Sequence, residues 1–243
     1  MSEISRTVRT VYIEPIAAND VKGLSRAAGF LTAEELQRAA KYRIEASRRT
    51  FITCRALLRM QLSQMTDVAP RHWHFTVNSY GRPEIIEPTP FRHIRFNVSH
   101  TDGLIMCAFS DTLDVGVDAE RIQQPHLDIV DRFFARSERV AFRRTAEAQL
   151  ARTFFKYWTL KEAYVKARGY GLSIALDSFA IDICENGEIR LEIDEHLDPR
   201  RHRWIFRSMQ PTETHVTALC IDGSGDGEVN IFEEWAELGD TQA

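Results

Sequence analysis

The chain reads as an α+β fold made of two halves. Three observations predict this. A long helical pattern from Leu31 to about Gln64 is followed by short alternating segments. A second series of strand, helices and strands begins at Leu113. No long Pro/Gly/Ser linker divides the two, so the halves meet directly, near residues 110–115. This ordering places an N-terminal α+β subdomain over 1–112, a C-terminal one over 113–225 and an acidic tail over 226–243. No sequence repeat relates the halves.

The elements follow from local pattern. Residues 7–16 alternate as a strand. The helical stretch after Leu31 starts at a capping box, Thr32 with Glu35, and accommodates one break. His74–Val77 and the segment near Glu84–Ile86 are strands flanking the turn Asn78-Ser-Tyr-Gly-Arg-Pro83. Residues 94–98 and 104–110 are strands around the polar turn Ser99–Gly103, and Leu113–Glu120 is another strand. Short helices follow at Ile129–Phe134 and from Ser137 to about Arg144, then a longer one over roughly 148–168 that stops at Gly169. Phe179–Cys184 and Ile189–Ile193 flank Asn186-Gly187, a strong hairpin signal. Trp204–Phe206 and Val216–Ile221 are further strands. The tail from Gly223 closes on an amphipathic piece around Phe232 and Trp235.

Composition limits the function classes. With 243 residues and 44% hydrophobic content, the chain can bury one large core or two small ones. No apolar run approaches the roughly 20 residues that span a bilayer, and the first residues lack a signal-peptide core, so the expected address is the cytoplasm. Four scattered cysteines, Cys54, Cys107, Cys184 and Cys220, form no zinc or redox motif. The net charge of −4 conceals an asymmetry. Residues 1–100 hold 15 Lys+Arg against 9 Asp+Glu, and the remainder 16 against 26. That division suits an anionic ligand near a metal site and equally suits ordinary surface variation. A pI near 6.1 argues against a dedicated nucleic-acid binder.

Four groups of residues carry candidate chemistry. Asp118 and Glu120 alternate on one strand face and offer oxygens to a hard cation such as magnesium; alone, the pair also reads as a solvated strand end. On the later helix, Trp158, Glu162 and Lys166 share a face, and Glu162 with Lys166 can equally be a surface ion pair. Ser99 and His100 can both donate to phosphate oxygens, whereas His100 by itself reads as a turn histidine. Arg48, Arg49 and Thr50 on the first long helix and Arg82 in the turn can bind phosphate or simply be solvated. No Walker loop or G-x-G-x-x-G is present. Together the groups suggest magnesium-assisted chemistry on a phosphoanhydride.

Five segments then occur in one order: YGRP at 80–83, FNVSHTDGL at 96–104, GVDAE at 116–120, FFARSE at 133–138 and FKYWTLKEAYVKARGYGL at 155–172. In these, and over about Leu31 to Ile221, the chain resembles the 4′-phosphopantetheinyl transferases of the Sfp type. The resemblance implies two similar subdomains in a pseudo-twofold arrangement, each a small sheet packed on helices. It implies transfer of the phosphopantetheine arm of coenzyme A to a serine of an apo acyl or peptidyl carrier protein, releasing 3′,5′-ADP. Asp118, Glu120 and Glu162 would hold Mg2+ against the pyrophosphate, with Lys166 and Lys161 on the same phosphates. Ser99, His100, Arg49 and Thr50 would hold the nucleotide end, and Arg82 would sit near adenine and phosphate. Glu162, directly or through a metal-bound water, is the candidate base, with Asp118 and Lys166 beside it in the reaction. The first helix departs from the family's lysines, reading Glu34-Glu35-Leu36-Gln37-Arg38, so that Arg38 or Lys41 would substitute. A carrier would dock on basic and apolar surface including Phe133, Phe134, Arg143 and Arg144. A complete site in one chain implies a monomer without membrane or nucleic-acid partners. The alternatives are another Mg2+-dependent phosphotransferase or nucleotide hydrolase, and a non-catalytic coenzyme A-binding module.

Overall fold

A computed structural model describes residues 6–171, 174–200, 203–225 and 227–238. The first element, β1 (Thr7–Ile13), leads into α1 (Val21–Phe30), a helix that the sequence pattern does not mark. Gly23 and Gly29 lower its propensity. Asp20 rescues its start, its Oδ1 accepting the Gly23 N–H at 2.7 Å. A Cβ on residue 23 would lie 2.0 Å from Asp20 Oδ2, so the same glycine that weakens the helix lets its cap close.

The long helical stretch divides at residues 41–44 into α2 (Ala33–Ala40) and α3 (Glu45–Thr66). The expected capping box is present: Thr32 Oγ1 accepts from the Glu35 amide at 3.3 Å, and Glu35 Oε2 accepts from the Thr32 amide at 3.1 Å. Glu35 also accepts from Arg55 at 2.6 Å and from Arg59 Nε at 2.8 Å. Arg59 is buried and spends Nη1 on the carbonyls of Pro70 and Trp73. One carboxylate thus joins two helices to the segment entering β2 (His74–Val77), which pairs with β3 (Pro83–Glu87).

Two larger sheets organise the rest. β4 (Arg95–Thr101) and β5 (Leu104–Ser110) form a hairpin, and β4 runs on through Ser99 to Thr101 where the sequence suggests a turn. β5 pairs with β1. The tail reaches back to this sheet. Its residues Asn230–Trp235 form β11, parallel to β1, with acidic Glu233 and Glu234 facing solvent at the sheet edge. Arg6 anchors the return, donating to the carbonyls of Gly223, Ser224, Gly225 and Gly227. The first sheet is ordered β11-β1-β5-β4. The second is β6 (Val115–Arg121), β10 (His215–Asp222) and β9 (Trp204–Thr212), in that order. Helices α4 (Leu127–Phe133), α5 (Arg136–Arg143) and α6 (Leu150–Arg168), with the hairpin of β7 (Phe179–Ile183) and β8 (Ile189–Ile193), complete the chain.

Three apolar clusters layer this arrangement. One lies between the first sheet and α1–α3, around Val11, Leu57 and Phe109. Another lies between the second sheet and α4–α6, around Phe134, Tyr164 and Ala218. The third joins the inner faces of the sheets through Tyr12, Met106, Val117 and Leu219. Each sheet therefore carries helices on its outer face, as an α+β fold of small sheets packed on helices requires.

The closest approach in the second half is that of α6 to β6. A Cβ on Gly116 would lie 2.1 Å from the Ala163 carbonyl oxygen and 2.3 Å from the Ala167 nitrogen. Only glycine fits there, and only small residues face it. Gly116→Ala is expected to push α6 away from the sheet and to cost about 1–3 kcal/mol, the usual penalty of overpacking, as read from urea unfolding.

A second expectation concerns Glu35. Burial raises its pKa, but the Arg59 and Arg55 guanidinium groups outweigh that and hold it below the ordinary 4.5. A carboxylate with a lowered folded-state pKa stabilises the fold fully above 4.5 and loses that contribution as pH falls through the folded value. Glu35→Ala leaves Arg59 buried and unpaired and should cost about 3–5 kcal/mol near neutral pH. Its unfolding free energy should also fall less steeply than that of the parent protein as the solution is acidified below 4.5, in denaturant titrations at each pH.

Candidate active site

Strand alternation sends Gly116, Asp118 and Glu120 to one face of β6, toward α6, while Val117 and Ala119 enter the cluster between the sheets. Helical periodicity aligns Glu162 and Lys166 on α6. Because Gly116 brings helix and strand together, Lys166 Nζ reaches Asp118 Oδ1 at 2.7 Å. Ser99 of β4 completes the contact, its hydroxyl donating to Asp118 Oδ1 at 3.0 Å and accepting from Lys166 Nζ at 3.2 Å. Residues of β4, β6 and α6, distant in sequence, meet at one carboxylate.

Their meeting depends on how the sheets join. β4 and β6 are edge strands that lie side by side without pairing through their backbones. Instead, side chains of β4 accept from the free amides of β6. Asn97 Oδ1 takes Val117 N at 3.0 Å, and Ser99 Oγ and Thr101 Oγ1 take Ala119 N and Arg121 N, each at 3.3 Å. Every pair is separated by 20 residues, as parallel strands in fixed register demand. The polar residues alternating at 97, 99 and 101 are the sequence signal for this ladder, and Asn97 is a residue that reading by phosphate chemistry passes over. Arg121 also pairs with Asp102, and His215 Nε2 lies 2.8 Å from the Asp102 carbonyl oxygen, extending the junction.

The carboxylates crowd one another. Burial and the Asp118 charge raise Glu120 to about 7, with the Lys166 ammonium and the Trp158 indole working against them. Burial and Asp118 also raise Glu162, again opposed by Lys166. Asp118 Oδ2 is buried with no hydrogen-bond partner. An orphaned carboxylate oxygen beside two carboxylates that resist ionisation is what a divalent cation would relieve. The described residues do not converge into a closed ligand cluster, and Lys166 lies on Asp118.

Cavities extend from this point along β4. Lys166, Asn97 and Arg82 line one of about 230 Å³, with Tyr80, Gly169 and Gly171. Val98 also lines a larger groove of about 580 Å³, together with His100, Thr50, Tyr42 and Phe51. Arg49 and Thr50 line a third, of about 250 Å³, with Asp102 and Gly103. Desolvation and the Lys166 charge hold His100 below its ordinary pKa. Ser99 differs from its neighbour: it is buried, and its proton is directed to Asp118 rather than into the groove that His100 lines. Arg48 is paired with Glu45, and Arg38 lies over the Phe51 ring.

Lys161 takes a different place from the one implied by the resemblance. It is fully buried, and Nζ donates to both oxygens of Glu138, at 2.8 and 2.7 Å, and to the Phe179 carbonyl at 2.8 Å. Adjacent residues of a helix point about 100° apart, so turning Glu162 toward β6 turns Lys161 toward α5 and β7. Glu138 also accepts the amides of Ala135 and Ile181, making the pair an internal tie with no proton left for a phosphate. Phe134 likewise is buried, stacked on Phe154, and offers no docking surface.

Comparison with known proteins bears on the family. Residues 114–220 match the family described as the 4′-phosphopantetheinyl transferase superfamily, and residues 19–112 match the description 4′-phosphopantetheinyl transferase, N-terminal. A 4′-phosphopantetheinyl transferase of Bacillus subtilis is 29% identical over 229 residues, covering 92% of this chain and 97% of that protein. The 4′-phosphopantetheinyl transferase HetI of a Nostoc species is 30% identical over 201 residues, covering 82% and 81%. A further 4′-phosphopantetheinyl transferase of Bacillus subtilis, ffp, is 31% identical over 175 residues, covering 72% and 76%. With both halves matched and the acidic residues, the lysine and the serine brought to one point between them, the chain belongs to the 4′-phosphopantetheinyl transferase superfamily.

Proposed function

We propose that this enzyme transfers the phosphopantetheine arm of coenzyme A to a serine of an apo acyl or peptidyl carrier protein, releasing 3′,5′-ADP. The observation that carries the reading is the contact of Asp118 with Lys166 and Ser99 across the two halves, beside Glu120 and Glu162. The cavities along β4 suit an extended ligand with a phosphorylated nucleotide at one end. Thr50 and His100 face its nucleotide end, with Arg49 in the adjoining cavity, and Arg82 and Lys166 face its phosphates. Asp118, Glu120 and Glu162 would hold Mg2+, which the unpartnered Asp118 Oδ2 and the crowded carboxylates fit. When bound, the ion supplies charge neutralisation on the pyrophosphate.

The remaining chemistry falls to side chains. The carrier serine oxygen attacks the phosphorus next to the pantetheine arm, and the bond from that phosphorus to the 3′,5′-ADP oxygen breaks. The serine needs a base. Glu162, the α6 carboxylate that faces Asp118 and Lys166, takes the serine proton. Lys166 and His100 surround the charge that develops on the leaving group. Ser99 holds Asp118 and Lys166 in register.

A carrier would dock beside this site on α5, where Arg136 and Arg144 flank exposed Val140 in an open groove. That surface suits an acidic partner with an apolar spot. Phe133 packs against Trp158, and Arg143 is paired with Asp131, so both are secondary to this groove. Both halves of the chain contribute to the proposed site, and a monomer is part of this reading. No described helix is long and apolar enough to cross a membrane, and a cytoplasmic address is part of this reading.

Intact mass spectrometry of an apo carrier incubated with this protein, coenzyme A and Mg2+ should show a gain of one phosphopantetheine arm. Chelation of the metal or Asp118→Ala should abolish the gain; an unmodified carrier across a panel, with coenzyme A bound, would refute transferase activity. Glu162→Gln should lower kcat by about 10²–10⁴, the usual worth of a general base, and unchanged turnover with retained Mg2+ affinity would remove that role. Arg136→Glu with Arg144→Glu should raise KM for the carrier roughly tenfold while leaving KM for coenzyme A unaltered, in steady-state kinetics.

A further inference from the structure

Asp114, just before β6, is the meeting point of three arginines. Its Oδ1 lies 2.8 Å from Arg82 Nη2 and 3.4 Å from Arg95 Nε, and its Oδ2 lies 3.9 Å from Arg200 Nη1. Its backbone carbonyl accepts the Asp222 amide at 2.8 Å, so the end of β10 fixes the residue in place. Arg82 brings the other constraints. Its amide donates to Asn78 Oδ1 at 3.0 Å, and Asn78 Nδ2 reaches the Gly169 carbonyl at 3.3 Å. The guanidinium lies close under Gly169, where a Cβ would come within 2.7 Å of Nη1. Held this way, Arg82 lines the same cavity as Lys166.

We propose that Asp114 is a positioning residue for coenzyme A, presetting the Arg82 guanidinium in the cavity it shares with Lys166. An arginine side chain carries large rotamer freedom, and a binding site in which that freedom is already lost binds more tightly. The sign of the effect follows from the cluster. Arg95 shares the same carboxylate, and Arg200 reaches it at longer range from its 3.1 Å pairing with Asp222, so Asp114 does not neutralise Arg82 alone and Arg82 keeps its attraction for phosphate. This inference rests on coenzyme A phosphates lying beside Arg82 and Lys166.

Steady-state kinetics and calorimetric binding of coenzyme A test it. Asp114→Ala should raise both KM and Kd for coenzyme A about tenfold, the effect of one lost hydrogen bond to a charged group, with kcat held within about twofold. Arg82→Ala should raise them at least as much, and adding Asp114→Ala to it should change neither further. Unchanged or lowered KM in Asp114→Ala overturns the proposal, and so does an equal rise in the Arg82→Ala background, since that is the mark of a general structural role. If Asp114→Ala does not fold, Asp114→Asn, which keeps the volume and one accepting oxygen, is taken through the same cycle. Its rise should be about threefold and should vanish without Arg82. Unchanged KM and Kd in Arg82→Ala alone would remove coenzyme A from Arg82, and the proposal with it; the other failures leave that placement standing.

Discussion

The site depends on how closely α6 lies against β6. With any side chain on Gly116, the carbonyl of Ala163 and the backbone of Ala167 would have to withdraw. Glu162 and Lys166 sit on the same helix and would withdraw with them. The 2.7 Å contact of Lys166 with Asp118 is therefore set by an atom that is absent two residues before Asp118. Interiors pack too densely to absorb such a change locally, so the glycine acts at the chemistry without touching it.

The second constraint is the junction of the sheets. Edge amides left unpaired are a liability, and these are satisfied by side chains rather than by a continuous backbone ladder. The arrangement leaves Ser99 with two functions. Its oxygen receives the Ala119 amide, and its proton holds Asp118. Structural and chemical roles are thus combined in one hydroxyl, and the spacing between halves and the orientation of the carboxylate are set together. β11, which carries the end of the chain back to β1, adds a further closure.

Electrostatic tension is concentrated at the same point. Most buried charges here are fully matched. Glu138 and Lys161 saturate each other, and Asp198 accepts from Tyr164 at 2.7 Å and from Trp204 at 2.8 Å. Asp118 is not matched, since one of its oxygens has no partner. Glu120 and Glu162, half-buried beside it, are pushed toward their protonated forms. Folding alone would favour replacing such a cluster with apolar residues of similar volume, which sets it apart from the matched pairs.

Much of this was legible in the sequence, because periodicity and motif order are local properties. Alternation predicts that Asp118 and Glu120 share a face, and the 3.6-residue repeat predicts the same of Glu162 and Lys166. Thr32 with Glu35, Asn186-Gly187 and Gly169 mark their cap, hairpin and helix end, and the five ordered segments indicate the family. Contacts between distant segments were not legible. Lys161 and Lys166 look alike in sequence, but helix rotation against a packed neighbour sends the first to Glu138 and the second to Asp118. Nothing local shows that residues 230–235 pair with β1, that Asn97 caps an edge amide or that Asp114 gathers three arginines. The sequence by itself determined which residue types are present and which of them share a face. Only the tertiary structure decided which faces meet, because that follows from the packing of whole layers and not from the pattern along any one of them.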